Sequence, residues 1–169
     1  MIKCRDVMDV MERIAPKKLA EEWDNPGLLV GSPEDEVRRI LVCLDVREEL
    51  VDRAKAENFQ MIVAHHPVIF RGLKKLRTDL PDGRLLGALL RAGVAVFAAH
   101  TNLDCVEGGV NDVLATRIGL DPATLVPLSN ADSLSESLGR IGKLPKKIDA
   151  KAFAERVKKR IRHLDSAFH

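Results

Sequence analysis

The residues best suited to chemistry are three histidines and one aspartate: His65 and His66, followed at once by Pro67, and His100, with Asp104 shortly after it. Imidazole is a common ligand for divalent metals and the side chain that most readily moves a proton near neutral pH. Imidazole and carboxylate together suit zinc, manganese, iron or nickel, and a bridging carboxylate suits two ions. Each pattern follows an apolar run, Met61 to Val63 in one case and Val94 to Ala98 in the other. Inside a strand, adjacent side chains point to opposite faces, so His65 and His66 could not share a ligand there. Pro67 donates no ladder hydrogen bond and biases His66 toward an extended or turn conformation, so the strand is expected to stop before it. Two imidazoles at the carboxyl end of a buried strand can then turn into one crevice, where open α/β sheets place their ligands. The alternative is a histidine pair on an exposed loop tip.

The elements between these patterns decide whether they can meet. From His66 to His100 the pattern is loop, helix, strand, one β-α-β crossover, which makes the two strands parallel and puts their carboxyl ends on one edge. The loop, Arg71 to Arg77, is basic. Arg71 and Lys74 are candidates to hold the anionic part of a substrate, and a solvated face is the competing reading. Pro81 suits the first position of a helix with Leu85, Leu86, Leu89 and Leu90 as its buried stripe, and Gly93 suits its C-cap. Ile40 to Leu44 reads as a second buried strand. Asp45 at its end is a distant ligand, a substrate contact or, as expected here, the N-cap of a helix over 47–57. Earlier still, Val7 to Ile14 show helical spacing closed by Pro16. A second helical piece, Lys18 to Trp23, leads into the turn Asp24-Asn25-Pro26-Gly27 and a strand over Leu28 to Val30. Trp23, the only tryptophan, is expected to anchor the first helix on the sheet, with the wall of a site as the alternative. After Asp104, Cys105 reads as a spectator thiol. Gly108-Gly109, opening a helix over 111–118, would offer backbone amides to a phosphate. The fold class that follows is α/β, a layered sandwich with a mostly parallel central sheet flanked by helices and a metal crevice at the carboxyl ends of the strands.

Composition sets the frame. The chain has 169 residues, enough for one domain with an appendage, and 46% hydrophobic residues with only 4% aromatic, so aliphatic side chains must fill the core. A net charge of +2 argues for neither a nucleic-acid nor a membrane partner. Three widely spaced cysteines, Cys4, Cys43 and Cys105, make neither a disulfide framework nor a Cys-x-x-Cys zinc site. With no signal-peptide pattern and no apolar run of membrane-spanning length, a reducing cytoplasm is the expected setting.

Three segments, in order, resemble a known family. Leu19-Ala20-Glu21-Glu22-Trp23-Asp24-Asn25-Pro26-Gly27-Leu28, then Ala64-His65-His66-Pro67, then Ala99-His100-Thr101-Asn102-Leu103-Asp104 with Gly108 to Asp112, are similar to the NIF-three-like dinuclear metal-binding family. Its bacterial members are often called GTP cyclohydrolase I type two homologues. Ser137 to Gly142 resembles the family's continuation. The resemblance implies up to two divalent ions per site (zinc, manganese, iron or nickel) held by His65, His66 and Asp104. His100 would act beside them as an orienting group or proton shuttle. It also implies a cytoplasmic homo-oligomer, a hexameric ring. Residues 1–128 would form the metal-binding domain and 129–169 the start of the family's second half. That second half carries a late His-x-x-x-Glu pair not found in this sequence, which runs to His169. Asp149 to Arg162 reads as an amphipathic basic helix whose Lys158-Lys159-Arg160 run is a solvated surface, with nucleic-acid contact the alternative. Two functions follow from the resemblance: a dinuclear metal-dependent hydrolase acting on a nucleotide or phosphoester, or a metal-binding adaptor or delivery protein that performs no chemistry.

Overall fold

The structure, a computed structural model, describes residues 1–128 and 138–165. The described chain forms two compact units, Met1–Leu103 and Asp104–His169. Ser137, where the stretch resembling the family's continuation begins, and His169 lie outside the described residues.

The first unit is built on a four-stranded sheet of order β1-β4-β3-β2: β1 (Gly27–Val30), β2 (Ile40–Cys43), β3 (Met61–Ala64) and β4 (Ala95–Ala98). β2, β3 and β4 run parallel, in the register Ile40 to Met61 to Ala95. β1 runs antiparallel to β4, with Gly27 opposite Ala98. The strand period of two sorts side chains cleanly. Leu41, Ile62, Ala64 and Val96 face one side, where they pack with Val51 and Ala54 of helix α2 (Glu48–Ala56) and Leu86 and Leu89 of α3 (Pro81–Ala92). Met61, Val63, Ala95 and Phe97 face the other, against Cys4, Val7, Met8 and Met11 of α1 (Cys4–Ile14). Helices therefore flank a mostly parallel sheet. As the sequence requires, Pro81 opens α3 and Gly93 closes it in the left-handed conformation.

Three local expectations are corrected. β2 is an edge strand rather than a strand buried on both faces. Leu41 is covered, but Val42 is 77% exposed, and Ile40 and Leu44 are exposed too, because α1 covers β3 and β4 and stops short of the edge. The segment expected to be helical from Lys18 to Trp23 makes only a 3-10 turn over Lys17–Leu19. Asp45 does not cap α2, whose N-cap is Arg47.

Gly31, just past β1, has φ +96°, and a Cβ there would lie 2.7 Å from the Ala95 Cβ and 3.0 Å from its Cα. Gly31→Ala combines backbone strain with a collision against a buried strand. It is expected to cost about 2–3 kcal/mol, read as a lower urea midpoint. A midpoint within error of the parent would contradict this packing.

The second unit holds α4's last residues (α4, Thr101–Cys105, begins in the first unit), α5 (Val110–Ile118), the two-stranded ladder β5 (Val126–Pro127) with β6 (Arg140–Ile141), and α6 (Ala150–Asp165). Its polar hub is Arg140. The Arg140 side chain is 5% exposed, pairs with Asp112 and donates to the Cys105 carbonyl at 2.7 Å and the Val106 carbonyl at 3.2 Å. No helix among the described residues is long and apolar enough to cross a membrane.

Candidate metal centre

Three strand ends and one strand start converge on a single edge of the sheet. β2, β3 and β4 are parallel, so Asp45, His65-His66 and His100 all follow carboxyl ends. β1 is antiparallel, so the residues that precede it, Trp23 to Pro26, arrive at the same edge.

His65 and His66 leave β3 with their backbone amides still bonded to β2, to the Cys43 carbonyl at 3.1 Å and the Leu44 carbonyl at 3.0 Å. The regular strand nevertheless ends at Ala64, and the two rings come to one side, 5.1 Å apart between centroids. The His100 ring lies 5.3 Å from that of His65 and 5.7 Å from that of His66. One ring nitrogen of each histidine lies within 4.8 Å of the corresponding nitrogen of the other two. A zinc–imidazole bond is about 2.0–2.1 Å, so shifts of under about 1 Å would close these nitrogens around one ion.

Each ring is held at Nδ1. His65 Nδ1 lies 2.9 Å from the Ala99 carbonyl oxygen, which can only accept, so this nitrogen carries the proton. His66 Nδ1 lies 2.6 Å from Asp45 Oδ1 and His100 Nδ1 lies 2.8 Å from Asp24 Oδ1. Protonation at Nδ1 leaves the ring's lone pair on Nε2, the nitrogen that binds a metal. A carbonyl or carboxylate behind the imidazole is the support that metal-ligating histidines almost always have.

Asp24 is the deepest of these supports, with a fully buried side chain. It accepts from the Asn25 amide at 2.7 Å, the Thr101 amide at 3.0 Å, the Thr101 hydroxyl and His100. Burial pushes its carboxyl up, but the hydrogen bonds from Thr101, His100 and Asn25 outweigh burial and hold it below the usual carboxylate range. Thr101 Oγ1 in turn accepts from the Glu21 amide at 3.1 Å. The buried Asn102 ties the same turn down, its Oδ1 accepting from the His100 amide at 2.9 Å and its Nδ2 donating to the Ala15 carbonyl at 2.7 Å. The His-Thr-Asn sequence is thus a hydrogen-bonding unit, His100 and Thr101 sharing the Asp24 carboxylate and Asn102 reaching Ala15. Asp45 is different: it is partly open to solvent, and its hydrogen bond with His66, then the Arg47 charge, holds its carboxyl below the usual range.

Asp104 is the fourth residue of α4 and belongs to the second unit, where its carbonyl accepts from Asn111 Nδ2 at 3.1 Å. Arg71 and Lys74 are exposed on the segment after Phe70 and form no ion pair among the described residues, whereas Arg77 pairs with Asp79. Cys105 is buried, as a spectator should be. The Gly108 amide, one of those that would have faced a phosphate, donates instead to Asp112 at 2.6 Å, a carboxylate that an anion would have to displace. Trp23 is 57% exposed, against Phe70 rather than under the first helix, which corrects the anchor reading. Sequence reasoning missed Asp24 as a support altogether. The signal was its position just before a strand that turns out to be antiparallel.

The sequence profile of the Duf34/NIF3 (NGG1p interacting factor 3) family matches residues 2–167. The chain belongs to this family. Its sequence is 39% identical over 151 residues to a Halalkalibacterium halodurans protein named GTP cyclohydrolase 1 type 2 homolog, covering 80% of this chain and 41% of that protein. Among solved structures, it is similar to a Bacillus cereus protein related to NIF3, with TM-score 0.71 and 39% identity over 76% of this chain and 35% of the other. A Staphylococcus aureus protein superimposes with TM-score 0.84 and 25% identity over 95% of this chain and 66% of the other. The chain thus spans well under half the length of the Halalkalibacterium relative. The Duf34/NIF3 match and the α/β sandwich agree with the resemblance carried by the three sequence segments.

Proposed function

We propose that this Duf34/NIF3 chain binds a divalent metal ion through His65, His66 and His100, and that the bound ion supports hydrolysis of a nucleotide or phosphoester. The observation that carries the reading is the set of three imidazoles, each fixed at Nδ1 by an acceptor and each with a ring nitrogen within 4.8 Å of the others. An accidental histidine cluster has no need of three separate supports. Neutral imidazoles suit zinc, manganese, iron and nickel. When bound, such an ion supplies Lewis acidity and makes water a nucleophile at neutral pH.

The chain's own residues set the stage for that chemistry. Ala99, Asp45 and Asp24 hold protons at the Nδ1 atoms, which orients the rings and keeps lone pairs on Nε2. Family resemblance adds the Asp104 carboxylate to the ligand set, and with it room for a second ion. Arg71 and Lys74 would draw in the anionic group of the substrate. The name GTP cyclohydrolase 1 type 2 homolog, carried by the Halalkalibacterium relative, supports a nucleotide as substrate. A cytoplasmic homo-oligomer is the setting we propose.

A turnover screen over nucleoside triphosphates and aryl phosphoesters, in the presence of zinc or manganese, tests the hydrolase. Turnover is expected in the parent and is expected to fall by at least about 100-fold in both His65→Ala and Asp104→Ala, the loss typical of removing a group essential in the transition state. Turnover that survives both substitutions would contradict it. Metal passed rapidly to an acceptor, with no turnover in the parent, would favour a delivery protein instead.

A further inference from the structure

Beside the imidazole cluster stand two aromatic side chains that the metal chemistry does not use. Trp23 and Phe70 meet edge to face, 5.9 Å between ring centroids at 64°, and the Phe70 ring stands at 90° to His100, 6.2 Å away. Both are exposed, Trp23 at 57% and Phe70 at 42%, although burial of such rings is among the largest apolar gains a fold can make.

The corner is nonetheless built firmly. Trp23 directly precedes the fully buried Asp24, which four hydrogen bonds fix in place. Asn25 Nδ2 donates to the Ile69 carbonyl at 2.6 Å, tying the backbone beside Trp23 to the backbone beside Phe70. Two flat walls at an angle, held open to solvent, fit a planar ring that stacks on one and meets the other edge-on. The cationic segment Arg71 to Lys75 follows Phe70 directly, with Arg71, Lys74 and Lys75 exposed.

We infer that Trp23 and Phe70 form the subsite for a planar heteroaromatic ring carrying an anionic group, and so give the metal centre a ring-bearing substrate in preference to a simple phosphoester. The inference rests on the imidazole cluster as the chemical centre, but its ring preference is measured without turnover. Base–aromatic stacking is worth roughly tenfold to 100-fold in affinity for each ring. Because the same geometry accepts purines and pyrimidines, the ring rather than its edge groups should dominate.

Trp23 reports its own occupancy, since the chain has no other tryptophan. Its emission is titrated with adenosine, guanosine and uridine monophosphates and, as the ring-free control, ribose phosphate. The nucleotides are expected to quench Trp23 and to bind roughly tenfold or more tightly than ribose phosphate. Phe70→Leu should remove that advantage and Phe70→Tyr should keep it. Equal affinity for ribose phosphate, or no quenching by any nucleotide, overturns the inference. So does Trp23 emission that shifts with protein concentration and not with nucleotide, because a second copy would then cover the corner. If Phe70→Leu does not fold, the contrast between nucleotide and ribose phosphate in the parent still decides. Metal content measured on the same parent sample separates the two readings: nucleotide quenching in a chain that takes up no zinc or manganese sinks the metal reading and leaves the ring subsite standing.

Discussion

Asp24→Asn is expected to destabilise the first unit by about 2–4 kcal/mol and to weaken metal binding roughly 10–100-fold. Both Asp24 oxygens are acceptors: Oδ1 faces the Asn25 amide and His100 Nδ1, and Oδ2 faces the Thr101 amide and hydroxyl. An asparagine keeps one oxygen and puts an amide donor where the other stood, so donor meets donor in a fully buried position. The His100 ring loses the carboxylate charge behind its Nδ1 at the same stroke. Urea unfolding reads the first effect and a zinc titration the second. Thr101→Val, which removes one hydroxyl and keeps the carboxylate, should cost less, about 1 kcal/mol. If Asp24→Asn matched the parent in both measurements, the network would have no part in shaping the site.

The second large effect concerns the rings themselves. His65→Ala, His66→Ala and His100→Ala are each expected to lower zinc affinity by more than the roughly 10–100-fold that losing an outer support costs. Asp45→Asn should stay within that range. His66 and Asp45 are both partly open to solvent, with side chains 46% and 40% exposed, so water can replace the carboxylate at His66 Nδ1. His100→Ala discriminates between roles for that residue. A loss as large as for His65→Ala makes His100 a ligand, whereas retained affinity with lost turnover would return it to the proton-carrying role that the family resemblance implies.

The parts of this site that follow parallel strands were legible in the sequence. An apolar run, a helix with proline at its start and glycine at its end, and a second apolar run force a crossover, so His65-His66 and His100 had to share an edge. Pro67 told where the strand stops. The support behind His100 was not legible, because it depends on the direction of β1. Nothing in Gly27 to Val30 says whether the strand runs parallel or antiparallel, and only the antiparallel choice brings Asp24 to the histidines. Asp45 was visible as a polar residue at a strand end. Its role was misjudged because an acidic residue before a helix reads as a cap, and the competing partner, His66, lies far away in sequence. The exposure of Trp23 was hidden for a similar reason. Large aromatic residues near a turn usually pack inward, and its neighbour Phe70 is brought close only by the fold. The uncovered face of β2 was missed because a continuous apolar run looks the same in a central and an edge strand.

The proposed function requires that the three imidazoles of His65, His66 and His100 hold a metal. Metal content per chain, measured by elemental mass spectrometry on protein purified without chelator and then dialysed against zinc or manganese, tests this most directly. At least one equivalent of divalent metal per chain is predicted for the parent, lost in His65→Ala. A parent chain that holds no metal above buffer after this treatment, or a His65→Ala chain that holds as much as the parent, would contradict it.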